Sequence, residues 1–397
     1  MNTSNFIREL KTRVAESIET RETVSEREIW SKHGTMIWRA RRFTGTPNFY
    51  PIYRFGDHYA YSPLSLILLK GELRLNPGFV AKISDPNRVF FSGKETIDRD
   101  IERVGGPSVP GFEIKDPGEY ARRMGEAMRA DAAAGEGANP GYTNVLLCSG
   151  KDSLNMLFLP WKNPVVVLSA DPNFKLVKTF VEENGLKFDV VRLRDDDDSL
   201  LEREILVNCC RSNLAHYRWG HDLWRLAGSL GGKVIFWKGQ LGGTVMTPFW
   251  KGYTHLPHSG PGLLSTAFKS VGRHGEFRFN RLLEQSGLRQ RMLFGNLWRR
   301  GAMWQGVHNS FIRQLTNSLV LSIYHGPAVQ SVVSKVDLYR AVQQDVRPAV
   351  GSYLHGGPVR YPEKNPGPPP SEFRKGISHL DPFLKAFEAT GLPVYDT

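Results

Sequence analysis

The feature that most constrains the fold is a series of short apolar segments that alternate with helical patterns between residues 143 and 238. Four strands are predicted, "TNVLLC", "PVVVLSA", "KFDVVRL" and "KVIFW", and a segment with helical spacing follows each of the first three. Because near-continuous apolar strands are typical of sheets buried on both faces, this alternation indicates a parallel sheet covered by helices. The chain is therefore predicted to be an α/β protein, with helical patterns dominating beyond residue 250.

The first part of the chain has a different pattern. Segments such as "YAYSPLSLILLKGELRL" and "RVFFSG" combine aromatic residues, short apolar runs and turn formers, which predicts a smaller α+β domain. The stretch "RADAAAGEGANPGY" then interrupts the pattern with small residues, glycine and proline. We therefore place an N-terminal domain at 1–140 and an α/β domain at 141–397.

Composition narrows the partners and the compartment. The chain of 397 residues has a formal net charge of +12, which favours anionic partners such as nucleotides or nucleic acid. The cysteines, Cys148, Cys209 and Cys210, cannot form a disulfide framework, so a reducing, cytoplasmic location is expected. Near the N-terminus Phe6 and Leu10 recur at helical spacing among charged residues, which indicates an amphipathic helix rather than a signal peptide or a membrane anchor.

The segment "NVLLCSGKDSLNML" joins the first predicted strand to a predicted helix through a turn of small and polar residues. Ligands bind at the carboxyl ends of strands in open α/β sheets, and a helix N-terminus there favours anions. Ser149, Gly150 and Ser153 are small enough for phosphate oxygens to approach the backbone, and Lys151 adds positive charge. Asp152 could hold a divalent cation on those phosphates. The alternative is a tight connection whose serine caps the helix.

The same turn resembles the PP-loop of ATP pyrophosphatases, S-G-G-x-D-S, in its last four positions, whereas Cys148 and Ser149 replace the first Ser and Gly. The resemblance implies a Rossmann-like fold that binds ATP and Mg²⁺, with Asp152 as the metal ligand. It also implies cleavage between the α- and β-phosphates and adenylation of a substrate. The nucleotide-binding residues by this resemblance are Cys148, Ser149, Gly150, Lys151, Asp152, Ser153, Leu168, Ser169 and Gly239.

Within that superfamily the chain from 141 to about 375 resembles the synthetase domain of asparagine synthetases, β-lactam synthetases and lasso-peptide cyclases. "KVIFWKGQLGG" lies where that group has a strand followed by S-G-E-G-A-D-E, although no acidic residue occurs between Lys238 and Gly243. "VRPAVGSYLHGGPVRYPEKNPGPPP" resembles the closing stretch that supplies a lysine through an R-x-K-type motif. The implied catalytic residues are Lys364, Lys151 and Lys238.

These features predict an ATP-dependent ligase. Its carboxylate or amide substrate would be adenylated with release of pyrophosphate, and an amine would then displace AMP to form an amide or related C–N bond. Glutamine-using relatives carry a cysteine directly after the initiator methionine, whereas residue 2 here is Asn2, so no glutaminase activity is expected. The substrate is expected to be a small molecule or a peptide. Two alternatives stay open: a nucleobase- or tRNA-modifying PP-loop enzyme, and a catalytically silent PP-loop binding protein.

Other constellations have structural as well as functional interpretations. Residues 273–300 interleave arginines with aromatic residues, as does "WRARRF" at 38–43 on a smaller scale, which fits RNA binding or a basic helical face packed on its aromatic side. Asp195–Asp198 form a charge run that favours solvation over metal binding. His216 and His221 lack the spacing of zinc ligands on one helix face and are interpreted as structural. A homo-oligomer stays open.

Overall fold

The structure is a computed structural model that describes residues 3–32, 36–45, 51–84, 95–106, 111–194, 199–211, 219–248, 294, 306–363 and 380–396. The elements before residue 140 are α1 (Thr3–Glu16), β1 (Ile18–Ser25), α2 (Glu26–Ser31), β2 (Ile37–Thr44), β3 (Tyr53–Phe55), β4 (His58–Ala60), α3 (Pro63–Lys70), β5 (Leu73–Arg74), α4 (Pro77–Ser84), β6 (Glu102–Arg103) and α5 (Pro117–Ala138). The amphipathic helix predicted at the N-terminus is α1, whose apolar residues Phe6 and Leu10 are buried.

The second part of the chain carries the predicted alternation of strands and helices. Its elements are β7 (Thr143–Leu147), a 3₁₀ helix (Leu154–Phe158), β8 (Val165–Ala170), α6 (Phe174–Glu183), β9 (Val190–Leu193), α7 (Leu201–Asn208), α8 (Gly220–Ser229), β10 (Val234–Lys238), α9 (Gly242–Met246), α10 (Gly306–Thr316), β11 (Leu319–Ser322), a 3₁₀ helix (Ile323–His325), α11 (Pro327–Val333), α12 (Leu338–Ala341), α13 (Arg347–His355), α14 (Leu380–Glu388) and β12 (Val394–Tyr395).

The predicted parallel sheet is confirmed. Five strands are hydrogen-bonded in the order β11-β10-β7-β8-β9, and every neighbouring pair is parallel. The first strand of the sheet in sequence, β7, lies in the middle, with the next strand β8 on one side and β10 on the other. Successive strands are thus added first on the β8 side of β7 and then on its β10 side, so the order reverses between β7 and β10. In doubly wound sheets the crevice at this switch point, outside the carboxyl ends of the two strands, is where ligands bind.

The fifth strand corrects one sequence expectation. The segment "MWQGVHNSFIRQLTNSLVLSIYHGP" has a helical pattern throughout, but its residues 319–322 form β11. Asn317 adopts a left-handed conformation with φ of 53° just after α10, which an asparagine tolerates better than most residues. The run Leu319–Leu321 is fully buried on both sides. A short continuous apolar run fits a buried strand or a buried helix, so its periodicity could not distinguish them.

The N-terminal part forms a mixed sheet, and its residues pack against both faces of the parallel sheet. Its strand order is β1-β2-β4-β3-β6, in which only the β1–β2 pair is parallel. One apolar cluster joins Phe6 to Phe236 in β10, and a second joins Trp30 to Trp237, whose ring centroids are 6.3 Å apart. Residues on both sides of position 140 therefore share each cluster. The end of the chain returns to the N-terminal part, since β12 pairs with β5.

Helices α5 and α11 are held together by a buried carboxylate. The buried carboxylate of Asp131 in α5 accepts hydrogen bonds from the backbone N–H groups of Ala328 and Val329 at 3.0 and 2.9 Å, which fastens α11 to α5. Burial raises the pKa of Asp131 to about 6 although these hydrogen bonds oppose the shift.

None of the described helices is long and apolar enough to cross a lipid bilayer.

Candidate functional site

The loop after β7 forms a tight turn at the switch point. Gly150 has a φ of 120°, which favours glycine, and its carbonyl accepts hydrogen bonds from Ser153 N–H and Oγ–H at 3.0 and 2.7 Å. Among the described residues, the amide N–H groups of Ser149, Gly150 and Asp152 have no hydrogen-bond acceptor. The short helix predicted after this turn is a five-residue 3₁₀ helix. Open backbone amides, more than a helix dipole, therefore make this turn suitable for an anion.

The loop after β10 lies directly on that turn. A Cβ atom added to Gly239 would lie 2.3 Å from Ser153 Cα, and one added to Gly242 would lie 2.8 Å from the carbonyl oxygen of Asp152. A Cβ on Gly243 would lie 2.8 Å from the Asp152 carboxylate. The glycines in this segment are therefore explained by contact between the two loops. The predicted site residues Gly239, Asp152 and Ser153 are brought together at the switch point.

An arginine that sequence reasoning missed lies between two carboxylates at this edge. Arg347, at the start of α13, donates from Nε and Nη2 to the two carboxylate oxygens of Asp345 at 2.8 and 2.7 Å, and its Nη1 pairs with Asp152. The Arg347 side chain is 10% exposed, whereas that of Asp152 is 41% exposed. A bidentate carboxylate–guanidinium pair fixes the arginine beside the turn. The available sequence signal was an Asp-x-Arg-Pro pattern at a helix start, within a stretch used only for its lysine.

The predicted Lys151 is turned toward the segment that follows α13. Its Nζ donates to the carbonyl oxygen of Glu363 at 3.0 Å, lies 3.5 Å from Asp345, and lies 5.6 Å from the centre of the Tyr361 ring. The Tyr361 hydroxyl donates in turn to the carbonyl oxygen of Lys151 at 2.5 Å. Lys364 lies outside the described residues. Its neighbour Glu363 nevertheless connects this part of the chain to the loop after β7.

The charges of this group are locally balanced. Two cations, Lys151 and Arg347, face two carboxylates, Asp152 and Asp345. Burial alone would raise the pKa of Asp345, but hydrogen bonds and charge from Arg347, with the charge of Lys151, hold that pKa below its ordinary value. Burial raises the pKa of Tyr361 well above its ordinary value, so its hydroxyl stays protonated at neutral pH. We refer to Lys151, Asp152, Asp345 and Arg347 as the ion-pair network.

The remaining nucleotide-binding residues of the prediction are largely engaged in the sheet. Cys148 N–H donates to the carbonyl oxygen of Leu168 at 2.8 Å. Burial raises the pKa of the Cys148 thiol to about 12, so it stays protonated and is not a nucleophile. Ser169 continues β8 by pairing with Arg192 in β9, and its Oγ is buried without a hydrogen-bond partner among the described residues. Neither Leu168 nor Ser169 is exposed beyond 2%.

Lys238 lies on the other face of the sheet from the ion-pair network. It is in register with Leu147 of β7 and Ser322 of β11, whereas the preceding Trp237 packs in the opposite apolar cluster. Burial lowers the pKa of Lys238 to about 7, although the charge of the buried Glu204 opposes the shift. The structure therefore does not bring Lys238 together with Lys151, although the two were predicted at one site.

Magnesium fits this site only as an ion shared with phosphates. Among the described residues, no cluster of three or more histidine, cysteine or acidic side chains could hold a metal. Mg²⁺ is often bound by one or two carboxylates together with substrate phosphates and water, and Asp152 has the exposure for that role. Its pair with Arg347 would have to open. Asp195–Asp198 and His216 lie outside the described residues.

The basic segments proposed for nucleic acid are only partly described. Of residues 273–300 the structure describes Phe294 alone, which is buried. "WRARRF" lies in β2, where Arg39 pairs with Asp57 at 2.8 Å and Arg41 lies 3.8 Å from Glu22. The exposed face of this strand therefore carries paired charges.

Comparisons with known proteins add no family to this picture. The sequence matches no protein-family model, and no curated protein matches it either. Function is therefore inferred from the site itself: two loops that meet at the switch point of a parallel sheet, with balanced ion pairs on one face and buried basic side chains on the other.

Proposed function

We propose that this protein is an ATP-dependent ligase that adenylates a carboxylate or amide substrate, releases pyrophosphate and forms an amide or related C–N bond with release of AMP. One observation carries the proposal. The loops after β7 and β10 meet at the switch point, and Lys151, Asp152 and Arg347 converge there. The PP-loop resemblance of residues 148–153 agrees with the position at which doubly wound sheets bind ligands.

Phosphate binding would use the turn and its neighbours. The amide N–H groups of Ser149, Gly150 and Asp152 could donate to phosphate oxygens, since they have no acceptor among the described residues. Lys151 and Arg347 would add positive charge against the leaving pyrophosphate. Such fixed donors stabilise charge in a transition state more effectively than water does, because they need little reorganisation.

Asp152 would hold Mg²⁺ on the phosphates, and the bound ion would supply Lewis-acid stabilisation of the negative phosphate oxygens. For this, Arg347 must leave the Asp152 carboxylate. It would keep its two hydrogen bonds to Asp345, at 2.8 and 2.7 Å, so the guanidinium stays in place and gains donors for the nucleotide. The ion pair between Asp152 and Arg347 is therefore interpreted as the form of the site that is ready for exchange with Mg²⁺ and ATP.

The chemistry would proceed in two substitutions. A substrate oxygen attacks the α-phosphorus, the bond from that phosphorus to the bridging oxygen breaks, and pyrophosphate leaves with the electron pair. An amine nitrogen then attacks the activated carbon, AMP leaves, and the amine loses a proton. Lys364, implied by the family resemblance, would stabilise charge in the second step. The amine would be ammonia, or an amine on another molecule or on the substrate itself.

A second candidate is a catalytically silent protein on the same fold. The observation in its favour is the Asp152–Arg347 ion pair together with the close contact of Gly243 with the Asp152 carboxylate. A loop closed in this way, with no acidic residue from Lys238 to Gly243, could bind a nucleotide without turnover.

Nucleotide binding and product analysis separate these candidates. We expect Mg²⁺ and ATP together to raise the thermal midpoint, since a ligand at about 100 times its Kd adds about 2.7 kcal/mol to stability. Asp152→Asn should lose the Mg²⁺-dependent part. Asp57→Asn is the matched control, because Asp57 is also paired with an arginine and its side chain is 45% exposed against 41% for Asp152.

Catalysis is then tested by incubation with ATP, radiolabelled pyrophosphate and pools of carboxylic acids, amides and peptides. The ligase should incorporate label into ATP and release AMP rather than ADP. Binding without exchange across these pools would favour the silent protein, and no response to Mg²⁺ and ATP at millimolar concentration would exclude both candidates.

A further inference from the structure

A second group of basic side chains lies on the face of β10 opposite to the ion-pair network. It is formed by Lys238 at the end of β10, His325 after β11, Arg103 in β6 and Arg211 after α7, each at most 6% exposed. We refer to these four residues as the basic cluster. Lys238 ends a strand of the parallel sheet, His325 ends the 3₁₀ helix that follows β11, Arg103 belongs to the N-terminal sheet, and Arg211 follows α7.

The four groups are close enough to act on one another electrostatically. Burial, together with the charges of Lys238 and Arg103, lowers the pKa of His325 to about 3. Burial and the charge of Arg211 lower the pKa of Arg103 to about 10 although Tyr53 opposes the shift. His325 therefore lies near Lys238 and Arg103, and Arg103 lies near Arg211, in a site with little access to water.

Two side chains at this site, those of His325 and the neighbouring Ser322, have polar atoms without a hydrogen-bond partner among the described residues. Both ring nitrogens of His325 are buried without a hydrogen-bond partner among the described residues, and the same holds for the Oγ of Ser322, which is fully buried. Ser322 lies beside Lys238 in register, on the same face of the sheet. Burying a hydroxyl or an imidazole without a partner is unfavourable, since the group loses its hydrogen bonds to water. A ligand that accepts hydrogen bonds would offset that cost.

We propose that the basic cluster binds a compact oxyanion, a carboxylate or a phosphate group, at a site separate from the nucleotide loop. Lys238, Arg103 and Ser322 would donate to its oxygens, and an anion at this position would also favour the protonated form of His325. One carboxylate, that of Glu204, acts on Lys238 in the part of the chain described, so the cations outnumber it.

The position of the site indicates a role for the anion. Lys238 is bonded to Gly239, which lies against Ser153 of the turn after β7. An oxyanion held by Lys238 is therefore one residue along the chain from the loop proposed to bind ATP. We infer that it is an acidic group of the second substrate. This role rests on the proposed ligase function, whereas binding of the anion does not.

Anion binding is measured by thermal unfolding and isothermal titration calorimetry of the full chain with inorganic phosphate or with acetate, in the absence of nucleotide and Mg²⁺. Lys238→Met removes the charge and keeps a similar volume, and Lys238→Arg keeps the charge. Lys335→Met is the control, because it also removes one lysine charge, its side chain is 46% exposed, and it belongs neither to the basic cluster nor to the ion-pair network. Lys151→Met reports any phosphate that the turn after β7 holds.

We expect the unmodified protein, Lys335→Met and Lys238→Arg to bind at least one of the two anions, and Lys238→Met to bind it at least tenfold more weakly. Binding of acetate alone identifies a carboxylate site, and binding of phosphate alone a phosphate site. The proposal is overturned if neither anion binds the unmodified protein, or if the affinity falls in Lys151→Met and not in Lys238→Met. If Lys238→Met loses anion binding but is still stabilised by Mg²⁺ and ATP, the oxyanion site and the nucleotide site are separate.

A second measurement does not depend on the stability of the Lys238 variants. The imidazole signal of His325 is identified in NMR spectra of the unmodified protein by its loss in His325→Gln. Addition of saturating phosphate or acetate at pH 6 should move this signal toward the imidazolium position. A signal that stays unchanged with both anions would overturn the proposal.

Discussion

The ionisable groups on the two faces of β10 differ in how their charges are balanced. In the ion-pair network, two cations are paired with two carboxylates, and the side chains of Asp152 and Asp345 remain 41% and 30% exposed. In the basic cluster, the four side chains are at most 6% exposed, and one carboxylate, Glu204, acts on Lys238 among the described residues. The same sheet edge thus has a balanced, partly exposed network on one face and an excess of buried positive charge on the other.

This difference changes what a ligand must do on each face. A balanced network is stable without a ligand, so ATP and Mg²⁺ would have to compete with the Asp152–Arg347 pair and rearrange it. The basic cluster carries the cost of removing charged groups from water, so an anion would stabilise it without displacing a partner of His325. Binding at the first site should therefore change side-chain contacts, and binding at the second should mainly raise stability.

The largest expected effect comes from Gly239, which directly follows Lys238 of the basic cluster and contacts the turn after β7. In Gly239→Ala the new Cβ would lie 2.3 Å from Ser153 Cα, a backbone atom that cannot move aside cheaply. We expect a loss of about 3 kcal/mol in the free energy of unfolding, measured with urea, and weaker binding of both Mg²⁺-ATP and the oxyanion. The control is Gly228→Ala in α8, where the added Cβ meets nothing within 4 Å. That variant should gain about 0.5 kcal/mol or more. Equal behaviour of the two variants would contradict the close contact between the loops.

A smaller effect should follow when the ion-pair network loses its arginine. Arg347→Met leaves Asp345 and Asp152 without their guanidinium partner, and we expect a loss of about 2 kcal/mol at pH 7, below the range for a fully buried pair because both carboxylates are partly exposed. The lowered pKa of Asp345 means that this stabilisation is present above the ordinary aspartate pKa of about 4 and is lost as the pH falls below it.

Urea unfolding at pH 7 and at about pH 3 therefore checks this prediction, since the difference between Arg347→Met and the unmodified protein should shrink in acid. Arg340→Met is the control, because Arg340 lies 3.7 Å from Asp337 and its side chain is 66% exposed. A difference that persists unchanged at low pH would show that Arg347 stabilises the protein by packing and not through its carboxylate partners.

The fold was more accessible to sequence reasoning than the site was. Four strands of the parallel sheet were predicted because buried parallel strands are continuous apolar runs bounded by helices and turns, and β7 to β10 are confirmed. The fifth, β11, was missed because Leu319–Leu321 is too short for periodicity to separate strand from helix. The turn after β7 was found because glycine, small and charged residues occur together in a short stretch.

The partners of that turn were not accessible, because they come from distant parts of the chain. Arg347 lies 195 residues after Asp152, and no local pattern links them. The basic cluster is less accessible still, since Arg103 lies in the N-terminal sheet and His325 follows β11, and they become neighbours only when the N-terminal part packs against β10. A sequence can indicate where charged residues occur. Whether a charge is balanced, as at Lys151, or buried among like charges, as at Lys238, depends on packing.

The next effect tests the burial of Lys238. The pKa of this lysine is lowered to about 7 in the folded protein, whereas the unfolded chain keeps its proton until near the ordinary value of 10.5. Between these values the unfolded state binds more protons, so stability should rise with pH, by up to about 1.4 kcal/mol per pH unit. Lys238→Met should abolish the rise and be more stable than the unmodified protein at pH 7. Lys151→Met, measured in the same series from pH 7 to 9, should keep it. An unchanged slope in Lys238→Met would mean that the basic cluster is hydrated.

The smallest effect is expected for the exposed arginines of β2. They serve as a reference for both faces of β10, because they belong neither to the ion-pair network nor to the basic cluster. The Arg41 side chain is 82% exposed and lies 3.8 Å from Glu22. Exposed pairs of this kind contribute little, so Arg41→Ala should change the thermal midpoint by no more than about 1 °C.

If β2 bound RNA, each phosphate neutralised would contribute about −0.7 to the slope of log K against log[salt] on single strands, and Arg39→Ala with Arg41→Ala would flatten that slope. We expect weak binding of single-stranded RNA with the same salt dependence before and after substitution, because Asp57 and Glu22 already face these arginines. Tight binding at physiological salt that is lost in the double variant would instead favour the nucleobase-modifying alternative over the ligase.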